Sequence, residues 1–117
     1  MKTQISSELI ESLTQELRRG ALPLSVLSML GENKYGYALI NELEECGIKI
    51  DQGTLYPMLR RLEGQGLLQS SWVVEGTRPR RYYQISTEGI EVLQTLTSEW
   101  RQLNDLIEKI LADKPIN

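Results

Sequence analysis

Residues 51 to 67, Asp-Gln-Gly-Thr-Leu-Tyr-Pro-Met-Leu-Arg-Arg-Leu-Glu-Gly-Gln-Gly-Leu, join a helical apolar stripe to an outer face of polar, aromatic and basic groups. Leu55, Met58, Leu59 and Leu62 stand at i, i+3, i+4 and i+7, the spacing that places them on one inward side of a helix. Thr54, Tyr56, Arg60 and Arg61 lie outside that stripe and form a face suited to a polyanion. Pro57 has no amide hydrogen and fits best within a first turn, which puts the regular helix start near Gly53 or Thr54, and Gly66 ends the helix. Taken alone, the segment reads equally well as a surface helix with two solvated arginines. The flanking sequence has to decide.

Upstream, Glu32 to Gly36 reads as a turn and Tyr37 to Cys46 as a short helix with Ala38, Leu39, Leu43 and Ile40 inward, stopped by Gly47. Two short helices joined by a brief connection, the second with a polar outer face, match helix-turn-helix geometry over residues 37 to 66. Downstream, Leu68 to Val74 and Arg80 to Ile85 are strand-like runs separated by Glu75-Gly76-Thr77-Arg78-Pro79, which reads as a hairpin with a five-residue tip. Residues 68 to 85 then form the wing of a winged helix, with Arg78, Arg80 and Arg81 placed to reach phosphate or an adjacent minor groove. Tyr83 and Ile85 fall on one side of the strand and Tyr82 on the other, and Trp72 is assigned to the core.

Further out, Ile5, Leu9, Leu13 and Leu17 define an amphipathic N-terminal helix capped by Ser6 or Ser7, which must pack on its own domain or on a second subunit. Leu22, Val26, Leu27 and Leu30 form the next stripe, in which Pro23 either opens a new helix or kinks a longer one. After Ser86 and Thr87, a helix running to about Leu111 carries Leu93, Leu96, Trp100, Leu103, Ile107 and Ile110 in alternating steps of three and four. At 1.5 Å per residue it extends roughly 36 Å, beyond the reach of a small core, and the stripe points to dimerisation. The fold class is therefore mainly α with a small β-hairpin. Residues 1–20 form a supporting helix, 21–85 the winged helix-turn-helix, and 86–117 the dimerisation helix.

Composition narrows the function. A chain of 117 residues with 40% hydrophobic content suits one compact unit. Acidic residues interrupt the first twenty positions and no apolar run reaches spanning length, so a soluble, cytoplasmic protein without a membrane partner is expected. The chain has no histidine, and Cys46 is its single cysteine. That argues against a zinc site and against a histidine-activated nucleophile, and no catalytic residue, metal or cofactor is assigned. Cys46 itself reads as a structural thiol near a helix end. The net charge of −3 disfavours nucleic acid at first sight, but residues 52 to 83 hold five arginines against two carboxylates. Local surface charge, not the total, sets phosphate affinity.

These residues resemble the PadR family of bacterial transcriptional regulators. The resemblance rests on Tyr35-Gly36-Tyr37, Gly53-Thr54-Leu55-Tyr56-Pro57, Arg61-Leu62-Glu63, Gly66-Leu67, Trp72, the run Arg78 to Tyr83, Thr87 and Gly89, and spans about residues 18 to 103. It implies a homodimeric repressor of the smaller branch, whose single C-terminal helix pairs the subunits, bound to inverted-repeat double-stranded DNA and released by a small molecule. It also implies DNA contacts for Thr54, Tyr56, Lys34 and Tyr35 and for the wing residues Arg78, Arg80 and Arg81, beside Arg60 and Arg61 of the helix face. Trp100 corresponds to a dimer-interface tryptophan that stacks on planar aromatic ligands, with Thr97 and Asn104 one turn to either side. A tryptophan in such a stripe also serves as plain core. Two rival functions stay open: a winged-helix adaptor for a protein partner, and a dimer that only sequesters small molecules.

Overall fold

The computed structural model of the chain describes residues 5–114 and 116. Ser6 caps α1 (Ser7–Arg19), its hydroxyl accepting the Glu8 and Leu9 amides at 3.1 and 3.3 Å. Pro23 sits in the first turn of α2 (Leu22–Met29), where its missing N–H leaves no helical bond unmade, so it opens a new helix and does not kink a longer one. There follow β1 (Lys34–Tyr35), α3 (Gly36–Glu45), α4 (Gln52–Gly64), β2 (Leu68–Glu75), β3 (Arg78–Ile85) and α5 (Thr87–Asp113). None of these helices is long and apolar enough to cross a membrane, among the described residues.

The stripe at 55, 58, 59 and 62 builds the centre of the molecule. Leu55, Met58, Leu59 and Leu62 are buried, and they meet Val26, Leu27 and Leu30 of α2, Leu39 and Leu43 of α3, and Leu68 and Tyr83 of the sheet. Burying a leucine completely stabilises by about 2 kcal/mol relative to leaving it in water, so this cluster dominates the fold. Asp51 caps α4, accepting the Thr54 amide at 2.8 Å, and the helix begins at Gln52, one to two residues earlier than Pro57 suggested. Gly66, at φ +82°, ends it: its own amide reaches the Glu63 carbonyl at 2.9 Å, and the Leu67 amide reaches that of Leu62, also at 2.9 Å. These two bonds are the Schellman closure that a left-handed residue permits.

Among the described residues the sheet has three strands in the order β1-β3-β2, all antiparallel. The segment read as a turn over Glu32 to Gly36 therefore contains a strand, with Lys34 opposite Tyr83 and Tyr35 opposite Tyr82. Two residues are too few to show alternation, and only the free edge of β3 makes them a strand. The hairpin tip is also tighter than five residues. Glu75 faces Arg78, leaving Gly76-Thr77 as the loop, with Gly76 at φ +63° in the first central position that a type II′ turn reserves for glycine.

Trp72 is not core. It is 66% exposed, because strands of eight residues span about 26 Å and outrun the helices beneath them. Arg81 is the partner of Trp72 in register; Tyr83, two residues nearer the hairpin base along β3, is buried, and Ile85 is half-buried on the same side. Tyr82 points to the other face, edge-on to Tyr35 with ring centroids 5.5 Å apart. Cys46 is exposed at the end of α3.

Ser86 joins the winged unit to the last helix. It is 4% exposed, its hydroxyl donates to the Gly66 carbonyl at 2.6 Å and accepts the Gly89 amide at 2.9 Å, and its own amide reaches the Leu67 carbonyl at 3.0 Å. Gly89 packs so tightly here that a Cβ would lie 2.2 Å from the Leu67 carbonyl oxygen. Beyond this joint α5 rests on α2 through half-buried Leu93 and Leu96, which belong to the protomer's own packing. From Trp100 onward its apolar residues are exposed, as are Ile5, Leu9, Ile10, Leu13 and Leu17 on or beside α1. The radius of gyration is 17.7 Å. A compact chain of this length would have about 13 Å, so the outer helices project from the core.

Candidate nucleic-acid interface

The second helix of the helix-turn-helix, α4, turns Thr54, Arg60 and Arg61 to solvent, because the buried positions lie on its opposite side. Tyr56 is half-buried and leans back toward α3. Its ring stands so close to Gly36 that a Cβ there would lie 2.4 Å from the ring. The hairpin arches beside this helix and the two enclose an open concavity of about 640 Å³. Tyr35, Tyr56, Arg60, Arg78, Arg80 and Arg81 all line it. Six of the nine positions assigned from sequence, Tyr35, Tyr56, Arg60, Arg78, Arg80 and Arg81, thus converge on one surface. Thr54 and Arg61 flank it on α4, and Lys34 stands apart.

The cations on this surface differ in how they are engaged. Arg60, Arg61 and Arg78 are exposed and make no ion pair among the described residues. Arg80 lies 3.7 Å from the Glu75 carboxylate, with its guanidinium carbon 4.5 Å from the centroid of Tyr35. Arg81 meets Glu63 at 2.8 Å. Lys34 donates to the Met29 carbonyl at 2.9 Å and pairs with Glu42 at 3.0 Å, which ties β1 to α2 and α3. Charge identity alone made these groups look alike, and their partners separate them.

Sequence reasoning missed Gln52, Tyr37, Trp72 and Tyr83 as lining residues. Trp72 could have been found from its position, since it lies four residues beyond Leu68 along a hairpin that leaves the core. The two buried or engaged tyrosines stay protonated. The Tyr82 hydroxyl donates to Glu75, and that bond, followed by desolvation, raises its pKa; burial is the first cause of the rise at Tyr83.

Thr97, Trp100 and Asn104 share one face of α5 by their spacing. Trp100 is 48% exposed, and the Thr97 hydroxyl donates to the Leu93 carbonyl at 2.7 Å. The shallow groove along this helix is lined by Leu93, Thr97, Arg101 and neighbours, and does not include Trp100.

A helix-turn-helix whose second helix and a following hairpin share one basic concavity defines a winged-helix protein. Residues 26–95 match the model of the PadR-like family of transcriptional regulators. The chain is 37% identical over 99 residues to the transcriptional regulator Rv3488 of Mycobacterium tuberculosis, covering 84% of this chain and 90% of that one. Among solved structures, a PadR family regulator from Eggerthella lenta superposes with a TM-score of 0.86 at 47% identity, covering 89% of this chain and 93% of the other. A transcriptional regulator from Clostridium thermocellum gives 0.75 at 31% identity, with 80% and 96% covered. The chain belongs to the PadR-like family of transcriptional regulators, and is not an enzyme.

Proposed function

We propose that the protein is a homodimeric repressor that binds an inverted-repeat operator through α4 and the wing, and leaves it when a planar aromatic molecule stacks on Trp100. The observation that carries the DNA reading is the pair Arg60 and Arg78: both lack an ion-pair partner among the described residues, and both line one concavity between the recognition helix and the wing. Unneutralised guanidiniums on a shared surface release counterions when they meet phosphate, and Thr54 and Tyr56 beside them supply the contacts that discriminate bases. The homodimer is supported by the apolar face from Trp100 to Leu111 and by α1, which the protomer leaves uncovered. The exposed indole on that face supports the ligand site, since two such rings across a two-fold axis would border a flat-walled space.

Fluorescence anisotropy with duplex DNA from the chain's own upstream region, at several salt concentrations and against a scrambled competitor, tests the reading. Saturable, competitor-resistant binding by one dimer is expected. Equal, weak binding to both duplexes would instead favour the adaptor reading. For the effector, planar dyes should quench Trp100 and lower DNA affinity together; quenching with unchanged DNA binding would leave only sequestration.

A further inference from the structure

The carboxylate of Glu63, near the end of α4, is held from two directions. Its Oε1 accepts Arg81 Nη2 at 2.8 Å and its Oε2 accepts the Ser70 hydroxyl at 2.5 Å, while Arg81 Nε donates to Ser70 Oγ at 3.1 Å. Three side chains from α4, β2 and β3 thus close a ring of hydrogen bonds. Every donor in it has one acceptor: the serine hydrogen goes to the carboxylate, and the serine lone pair takes the guanidinium. The guanidinium carbon also lies 5.7 Å from the centroid of Trp72 and 5.5 Å from that of Tyr83. The groups are half-buried, with Arg81 35% and Glu63 27% exposed at the side chain.

This ring sits where the hairpin leaves the core. Below it Leu68 and Tyr83 are buried, and beyond it every residue of β2 from Ser71 to Glu75 is exposed. The attachment above the base is therefore polar, directional and made to the recognition helix itself. A planar guanidinium held in a ring orients its neighbours, and contributes less to counterion release than one free in solvent.

We propose that Glu63 is a specificity-determining positioning residue: through Ser70 and Arg81 it fixes the wing against the recognition helix and withholds Arg81 from the phosphate backbone. The phosphate footprint then consists of Arg60, Arg61 and Arg78, and Arg81 sets the spacing between wing and helix. This rests on the DNA-binding reading above.

The test measures binding of the full-length protein to the upstream duplex and to a scrambled duplex across a salt series, for the wild type and for Arg78→Ala, Arg81→Ala and Glu63→Gln, with circular dichroism to verify each fold. Arg78→Ala removes one phosphate contact from each wing of the dimer and should flatten the log–log salt slope by about 1.8 on both duplexes. Arg81→Ala should leave the slope unchanged and weaken the upstream duplex about tenfold relative to the scrambled one, the effect of losing one charge-assisted contact. Glu63→Gln, nearly isosteric and able to keep the serine bond, releases Arg81: scrambled binding should tighten with a steeper slope, while the preference for the upstream duplex falls about tenfold. A drop in slope for Arg81→Ala equal to that for Arg78→Ala would make Arg81 a phosphate ligand and overturn the proposal. So would a wild-type preference that survives Glu63→Gln intact, with the DNA reading left standing. A wild type with no preference at all would remove that reading, and the proposal with it.

Discussion

The winged unit and the outer helices solve the problem of apolar surface in opposite ways. Between Leu22 and Ser86, leucines from three helices close on one another and on the base of the hairpin, leaving Val26, Leu27, Leu30, Leu43, Leu55 and Leu59 without solvent exposure. The outer helices carry as regular a stripe, yet Leu9, Leu13, Leu103, Ile107 and Ile110 all stand more than 40% exposed. Periodicity is alike in the two regions and says only that a face wants covering. What covers it depends on whether the chain can fold back, and a helix of 27 residues, about 40 Å long, cannot be covered by a unit of this size.

That contrast can be broken first in the core. Leu59→Ala removes a fully buried side chain from the middle of α4 and should destabilise by about 4 kcal/mol, whereas Leu106→Ala, at 59% exposure, should change protomer stability little; urea denaturation of both decides. Next, Leu103→Asp with Ile107→Asp places charges on the face assigned to the partner. Sedimentation should show dimer affinity weakened on the order of a hundredfold with the helical spectrum kept, because a carboxylate cannot be buried there unpaired. If the double variant assembles normally, the stripe is not the interface. A finer probe is Asp51→Ala, which removes the cap of α4 and should cost about 1 kcal/mol.

The smallest expected effect is alkaline. Tyr83 and Tyr82 have pKa values raised in the fold, so above about pH 10, the ordinary tyrosine value, the unfolded chain loses protons that the folded one keeps. The contribution is fully present below that pH and is lost as pH rises through the folded values, so stability should decline in this window. Tyr83→Phe should flatten the decline, and an unchanged profile would trace it to other groups.

The helices were legible in the sequence because their cores repeat: positions 55, 58, 59 and 62 declare a face whatever surrounds them. Caps were legible for the same local reason, at Ser6 as one of two candidate serines and at Gly66. The rest depended on partners distant along the chain. Lys34 and Tyr35 are a strand only because β3 offers an edge, some fifty residues later. Trp72 looked like core because its residue type is apolar, although its distance along the hairpin places it past the helices. Arg81 looked like Arg78 because charge is a property of the residue, and its bond to Glu63 crosses eighteen positions without a spacing signal. The basic face could be read in outline, and the division of labour within it could not.

The buried joint at Ser86 gives the long helix a fixed root. A rod of about 40 Å seated at one end is a mechanical amplifier: a tilt of about 5° at the root carries its tip about 3.5 Å. In a dimer paired along these rods the leverage runs in reverse, and a slight change in how two α5 helices cross would swing the wings apart or together. A molecule lodged near the middle of the rod, where Trp100 sits, could in this way alter the distance between two reading heads without touching either.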